Sequence, residues 1–381
     1  MSKKSYIGVG SKARQIKKWY VGVDNKARKV KKGYIGVGGV ARPFFSSGEL
    51  SYYGSITKLS FGRSDLGGAS VGNYALFAGG SGGGTTWYST VDAYSSSLTR
   101  STPTVLSTVR DGTIGASVGD YALFAGGYNT SGSSGYSAAV DAYNSTLVHS
   151  TPASLGIGRD CLASASVGDY ALFAGGCNAS SNYLSAVDAY SSTLTRITPT
   201  ALSEARELLA GASAGKGSYA LFAGGLSGPI GYSTVVDAYN SSLTRSTPTA
   251  LSKGRYSLSG TSVGHYALFA GGKSNTLLST VDAYNASLTR STPTSLSKVR
   301  HGLASALVGD YALFAGGYDD SISLSTVDAY DTSLTRSIPN ALPGTRWKLA
   351  GASVGDYALF AGGYCSTNGS YTSTVYAYAY K

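Results

Sequence analysis

The chain has 381 residues, 42% of them hydrophobic, enough for a large core, yet no run approaches the roughly 18 consecutive apolar residues of a membrane-spanning helix. Its formal net charge of +11 is local: residues 1–46 carry 12 Lys or Arg against a single acid, Asp24, while residues 47–381 carry 19 of each sign. The larger part is therefore neutral, and electrostatic attraction to an anionic partner is confined to the N-terminal segment.

The first residues are basic, as in a signal peptide, but the apolar stretch that should follow is missing, so neither secretion nor membrane insertion is expected. Residues 5–45 then repeat with a period of 14: Tyr6-Ile-Gly-Val, Tyr20-Val-Gly-Val and Tyr34-Ile-Gly-Val, each followed by Ala-Arg at Arg14, Arg28 and Arg42. The spacing predicts three hairpins turning at Gly10-Ser11, Asp24-Asn25 and Gly38-Gly39. Two-stranded units are marginal in water, so this segment is expected to order on a partner or in an oligomer. It resembles the basic Tyr-Ile-Gly-Val…Ala-Arg…Lys-Lys segments ahead of various domains in phage and prophage proteins of Gram-positive bacteria, especially those encoded near tail genes. That resemblance covers residues 1–46 and implies attachment to a virion through Tyr6, Arg14, Tyr20, Arg28, Tyr34 and Arg42, with other virion structural proteins as partners and a homo-oligomer on the particle. A flexible basic tail is the alternative reading of the same composition. Trp19 and Tyr20 suit base stacking, but no nucleic-acid motif accompanies them, and nucleic acid is not the expected partner.

From residue 47 a longer repeat takes over. Tyr-Ala-Leu-Phe-Ala-Gly-Gly begins at Tyr74, Tyr121, Tyr170, Tyr219, Tyr266, Tyr311 and Tyr357, at spacings of 47, 49, 49, 47, 45 and 46 residues. A period near fifty is one supersecondary unit stacked seven times. Each unit reads as four short extended runs, strands A to D, forming one antiparallel sheet, with Gly-Asp hairpin turns such as Gly119-Asp120 between A and B. The Arg before the first strand, the double glycine ending the second and the Tyr ending the third resemble the kelch repeat. The resemblance covers residues 50–381 and implies an all-β, seven-bladed β-propeller of four-stranded blades. One departure from the family pattern is that a Trp expected shortly after that Tyr is replaced by Arg100, His149, Arg196, Arg245, Arg290 and Arg336. The last unit ends at strand C, while Ser51–Leu59 aligns with strand D of the other units. The N-terminal stretch is therefore expected to complete blade seven beside Ser373–Tyr378, with Tyr53 near Tyr376, which removes free sheet edges. Asp92 on strand C is expected opposite Arg100 on strand D, as a structural ion pair recurring in five blades.

In such a blade the A–B and C–D turns share one end and the B–C and D–A loops the other. The first end repeats almost unchanged, whereas the second varies in length and sequence, as recognition surfaces do. Its aromatic residues make Trp87, Tyr88, Tyr136, Tyr183, Tyr232, Tyr256, Trp347 and Tyr371, together with His301, the candidate ligand contacts for a host cell-surface glycan or protein. The repeated Arg63, Arg110, Arg159, Arg206, Arg255, Arg300 and Arg346 are expected to ring the inner part of this face, where they either hold an anion or bond to neighbouring carbonyls.

Catalysis finds no support in the pattern. His149, His265 and His301 fall at different levels of the unit and do not converge. The three cysteines, Cys161, Cys177 and Cys365, are odd in number and lack ligand spacing, so no disulfide framework, metal site or cofactor is expected. The residues and the two resemblances together predict a non-enzymatic phage or prophage virion protein: residues 1–46 dock on the particle and residues 47–381 display a recognition face. An intracellular kelch-type interaction scaffold without a virion role is the alternative.

Overall fold

The structure, a computed structural model, describes residues 49–380 apart from 130–134, 179–181 and 229–230, and the backbone of six strands within residues 6–46. Those six strands pair as three antiparallel hairpins: Tyr6–Val9 with Lys12–Gln15, Trp19–Val23 with Lys26–Val30, and Lys32–Val37 with Val40–Ser46. The register repeats with the sequence, placing Arg14 opposite Ile7, Arg28 opposite Val21 and Arg42 opposite Ile35. Tyr6, Tyr20 and Tyr34 sit across from Gln15, Lys29 and Pro43. The side chains expected to attach the protein lie outside the described residues.

The remainder is a seven-bladed β-propeller, each blade a four-stranded antiparallel sheet in the order A-B-C-D. In blade one these strands are Gly67–Val71, Tyr74–Ala78, Val91–Ser95 and Arg100–Ser101. The recurring Tyr-Ala-Leu-Phe-Ala phrase is strand B, and its alternation explains why it cannot vary. Successive side chains point to opposite faces of the sheet, and both faces are buried between blades. Leu76 and Ala78 of blade one pack against Ala122, Phe124 and Tyr143 of blade two, while Ala75 and Phe77 face Leu359 and Ala361 of blade seven. Seven such clusters join the seven blades into a ring.

Two sets of hydrogen bonds latch neighbouring blades. The strand-C tyrosines, Tyr94, Tyr143, Tyr190, Tyr239, Tyr284, Tyr330 and Tyr378, donate their hydroxyls at 2.6–2.9 Å to carbonyls of the crossover arriving from the preceding blade. Nearer the axis, Ser70, Ser117, Ser166, Ser213 and Ser262 each donate at 2.6–2.8 Å to the strand-A carbonyl one blade back. Ser353 does the same to Leu307, the one member of this circle with no hydroxyl to pass on. Strand A is small for a steric reason: a methyl on Gly68, Gly115, Gly211, Gly260 or Gly351 would run into the carbonyl of the adjacent strand A.

The ring closes as the repeat alignment requires. Leu50–Ile56 is the outer strand of blade seven and pairs with Val375–Tyr380. The expected Tyr53–Tyr376 contact does not form, because the register shifts by one residue between Ala377 and Tyr378. A one-residue bulge moves side chains to the other face. Tyr52 is therefore the residue that packs edge-on to Tyr378 at 5.4 Å and Tyr376 at 6.3 Å, while Tyr53 lies outward against Tyr357 at 5.1 Å. Two further departures are local. Blade four turns from Ala214 to Tyr219 through four residues rather than two. On the opposite strand pair, Arg100 registers with Tyr94, not Asp92, so Asp92 reaches it diagonally.

Removing residues 1–46 should leave the melting temperature of the propeller within a few degrees of the full chain. Removing residues 1–59 takes away the outer strand of blade seven and should lower it by roughly 10 °C or more. Equal melting temperatures for the two truncations would contradict this closure.

Candidate functional site

The repeated arginines do not line a ligand surface. Arg63, Arg110, Arg159, Arg206, Arg255 and Arg300 have no exposed area, and Arg346 is 3% exposed. In six blades the guanidinium pairs with a strand-C aspartate at 2.6–2.8 Å and donates to a strand-B phenylalanine carbonyl at 3.1–3.3 Å. The same aspartate accepts a backbone N–H from the incoming crossover at 2.8–3.2 Å. A second basic side chain approaches its other side: Arg100, His149, Arg196 and Arg245 at 2.6–2.8 Å, Arg290 and Arg336 at 3.7 Å. An anion therefore has neither access nor free charge to meet. Blade seven lacks the aspartate, and there Arg346 bonds the Tyr376 hydroxyl at 2.9 Å.

What does reach the varied face is the loop after each arginine. Its second residue adopts a left-handed conformation in every blade, with φ between +51° and +62°, although only Gly112 and Gly302 of the seven are glycines. Asp65, Cys161, Leu208, Ser257 and Lys348 take the same conformation at a cost of about 1–2 kcal/mol each. The reason is a second ring of backbone bonds, made at six of its seven links. Backbone N–H groups of residues 65, 112, 208, 257, 302 and 348 each donate at 2.8–3.1 Å to the equivalent carbonyl of the preceding blade. Only the Cys161 N–H differs, turning instead to its neighbour Asp160 at 2.6 Å. Beneath the loops lies a central cavity of about 380 Å³ lined by Leu66, Gly67, Gly68 and their counterparts.

Around this ring the fold repeats one three-residue niche. It comprises the left-handed residue, the residue after the double glycine of the same blade, and the residue after the arginine of the next blade. Asp160 crowds over Gly112 and Trp347 over Gly302 in this way. In each blade the residue after the arginine and the residue after the double glycine form a β-bridge, such as Asp160 with Cys177 and His301 with Tyr318. The scaffold is constant and the chemistry is not. One niche is aromatic, with Tyr318 stacked on Trp347 at 4.9 Å, and the next holds His301, its neutral form favoured by burial, beside the Lys273–Asp320 ion pair. Another brings together Cys161, Cys177 and Glu207. That convergence was not legible from cysteine spacing. It follows only once the loop of one blade is known to lie beside the loop of the next.

All nine candidate ligand residues fall on this face and are half-buried rather than fully exposed. They sit in local pairs. Tyr88 stacks on Phe61 at 5.0 Å, Tyr136 meets Tyr128 at 5.2 Å, Tyr232 stacks on Tyr256 at 5.7 Å and Tyr371 meets Tyr364 at 5.0 Å. Tyr183 bridges to Cys177, and Trp87 lies in the short hairpin Ser81–Gly83/Thr86–Trp87 that extends the first B–C loop. A half-buried carboxyl lies among them: partial burial pushes Asp111 up to about 6. The opposite face carries the glycine turns and a left-handed leucine in six C–D turns, Leu98, Leu147, Leu194, Leu243, Leu288 and Leu334.

No protein-family model and no curated protein matches the chain. Among solved structures, that of YjhT is similar, with a TM-score of 0.53 at 10% sequence identity over 84% of this chain and 95% of that one. At this identity the likeness concerns the propeller fold alone.

The Arg–Asp pairs make a stability test. Replacing Asp141 with Asn leaves Arg110 buried without its counter-charge and should cost about 3–5 kcal/mol, whereas the double change Arg110→Met with Asp141→Leu should recover most of that. Burial pushes the Asp141 carboxyl up, but the Arg110 charge and the hydrogen bonds from Arg110 and His149 outweigh it, and the pKa lies below the ordinary carboxylate value. A depressed folded pKa contributes stability that is present above about pH 4 and is lost as pH falls through the folded value. Denaturant midpoints at pH 7 and pH 3 should therefore fall more on acidification for the wild type than for the double variant.

Proposed function

We propose that the chain is a non-enzymatic structural protein of a phage or prophage particle. Its basic N-terminal hairpins dock on the virion, and its kelch-like propeller presents the varied face to a host-surface glycan or protein. The observation that carries the recognition half is the asymmetry of the two faces. One constant backbone ring holds seven chemically different niches and the aromatic pairs around them, while the other face repeats the same turns. Stacked Tyr and Trp rings with polar edges suit the apolar faces and hydroxyls of sugar rings, and equally a protein surface.

The attachment half rests on charge and on chain economy. The propeller is neutral and closes on itself, whereas residues 1–46 are strongly basic and their described strands pair as three two-stranded hairpins, which gain by ordering on a partner. A non-catalytic role is supported by the location of the ionisable groups: six Arg–Asp pairs are committed to blade interiors, and the three histidines stand in three different blades.

Replacing Trp87, Tyr136, Tyr183 and Trp347 together with Ala should abolish adhesion to host cells or purified envelope glycans. Each lost ring pair should lower stability by about 0.5–1.5 kcal/mol, which leaves the fold intact. Changes at Asp120, Asp169 and Asp310 in the uniform turns should leave adhesion unaltered. A wild-type protein with no affinity for any host envelope fraction, or damage from the turn changes alone, would sink the recognition reading. Deleting residues 1–46 should yield a folded propeller that no longer joins the particle, and normal incorporation of that truncation would refute the attachment reading.

A further inference from the structure

Of the seven niches on the varied face, the one between blades three and four has a composition that the others lack. Its left-handed loop residue is Cys161, the residue after the double glycine is Cys177, and blade four contributes Glu207. The two sulfurs and a carboxylate oxygen all lie within 4.8 Å of one another. In a tetrahedral zinc site with Zn–S bonds of about 2.3 Å, ligand atoms stand about 3.8 Å apart. The three groups are thus within about 1 Å of closing on an ion, a change that side-chain rotation can supply.

We propose that Cys161, Cys177 and Glu207 form a binding site for a soft divalent cation, with Zn²⁺ as the natural occupant, stapling the loops of blades three and four. Three observations converge on it. The thiols are free, and they are held together by the backbone: Asp160 and Cys177 exchange both N–H···O bonds at 2.9 Å, which fixes Cys161 beside Cys177. Glu207 reaches the same point from the next blade, half-buried at the rim. The loop bearing Cys161 is also the one place where the ring of backbone bonds is interrupted, its N–H being taken by Asp160.

The donor set selects the ion. Two thiolates exclude Ca²⁺ and Mg²⁺, which take oxygen ligands, and favour Zn²⁺ and related soft cations. Binding converts two thiols to thiolates, so two protons leave to solvent as two Zn–S bonds and one Zn–O bond form, and water fills the fourth position. Exposure agrees with access from solvent: Cys177 is 8% exposed, and Cys161 and Glu207 are half-buried at the rim.

The test uses the tag-free full chain, reduced and stripped with a chelator, then titrated with ZnCl₂. One equivalent should bind, and the melting temperature should rise with added Zn²⁺. Co²⁺ in its place should give the near-ultraviolet charge-transfer absorption of two thiolate ligands. Cys161→Ser and Glu207→Gln, both at loop positions and checked for folding by circular dichroism, should each weaken zinc binding at least tenfold. Cys365→Ser should bind as the wild type does. Absence of stoichiometric zinc binding by the reduced, folded chain, or wild-type affinity in the Cys161→Ser and Glu207→Gln proteins, would overturn the assignment.

Discussion

Each blade buries both of its faces against its neighbours, and from that constraint the rest of the structure follows. Leu and Phe at adjacent positions of strand B point in opposite directions, one into the cluster ahead and one into the cluster behind. An isolated blade would expose both apolar faces, so stability resides in the ring, and an open seam would leave one such face to water. The strand supplied by Leu50–Ile56 matters for this reason. It is a short element, but it joins the first and last stretches of the propeller in a single sheet and covers the edge of the last blade.

The same geometry accounts for the buried charges. Strand B carbonyls and the crossover backbone turn polar groups into the interior of each blade, where they must be satisfied. An Arg–Asp pair does so in six blades, the guanidinium serving a phenylalanine carbonyl and the carboxylate serving a crossover N–H. Buried ion pairs seldom add much net stability. Their repetition here is better understood as fixing where each crossover enters, since one aspartate is bonded at once to the loop, to the inner arginine and to the cation on strand D. Blade seven, whose outer strand comes from elsewhere in the chain, uses a tyrosine hydroxyl for the same arginine.

With the interior fixed in this way, variation is confined to the end of each blade that the packing does not use. The loops there are tied by backbone bonds into a circle with one gap, at Cys161, so their side chains can differ without moving the chain. Five of the seven residues that tolerate the left-handed conformation are not glycine, which means that the ring imposes this conformation on whatever residue stands there. A constant backbone that carries a different triplet of side chains at each of seven stations can present an aromatic stack, an ion pair and a pair of thiols within one small surface.

The sequence by itself determined the number of blades, the assignment of strands A to D and the partnership between the N-terminal strand and the last blade. Those features are encoded in periodicity, and every copy of the repeat restates them. The hairpins of residues 6–46 were legible for the same reason, since Tyr, Gly and Ala-Arg recur at fixed spacing. Tertiary structure decided whatever depends on which residues of different blades, or of a bulged strand, meet in space. A single extra residue exchanged Tyr53 for Tyr52 at the seam. The arginines could be read either as ligands for an anion or as structural groups until burial showed that each already faces an aspartate, or in one blade a tyrosine. Cys161, Cys177 and Glu207 lie up to 46 residues apart and in two blades, and nothing in their spacing relates them. Closure of the ring brings them within reach of one another, because contacts between blades are fixed by rotation about a common axis and not by distance along the chain.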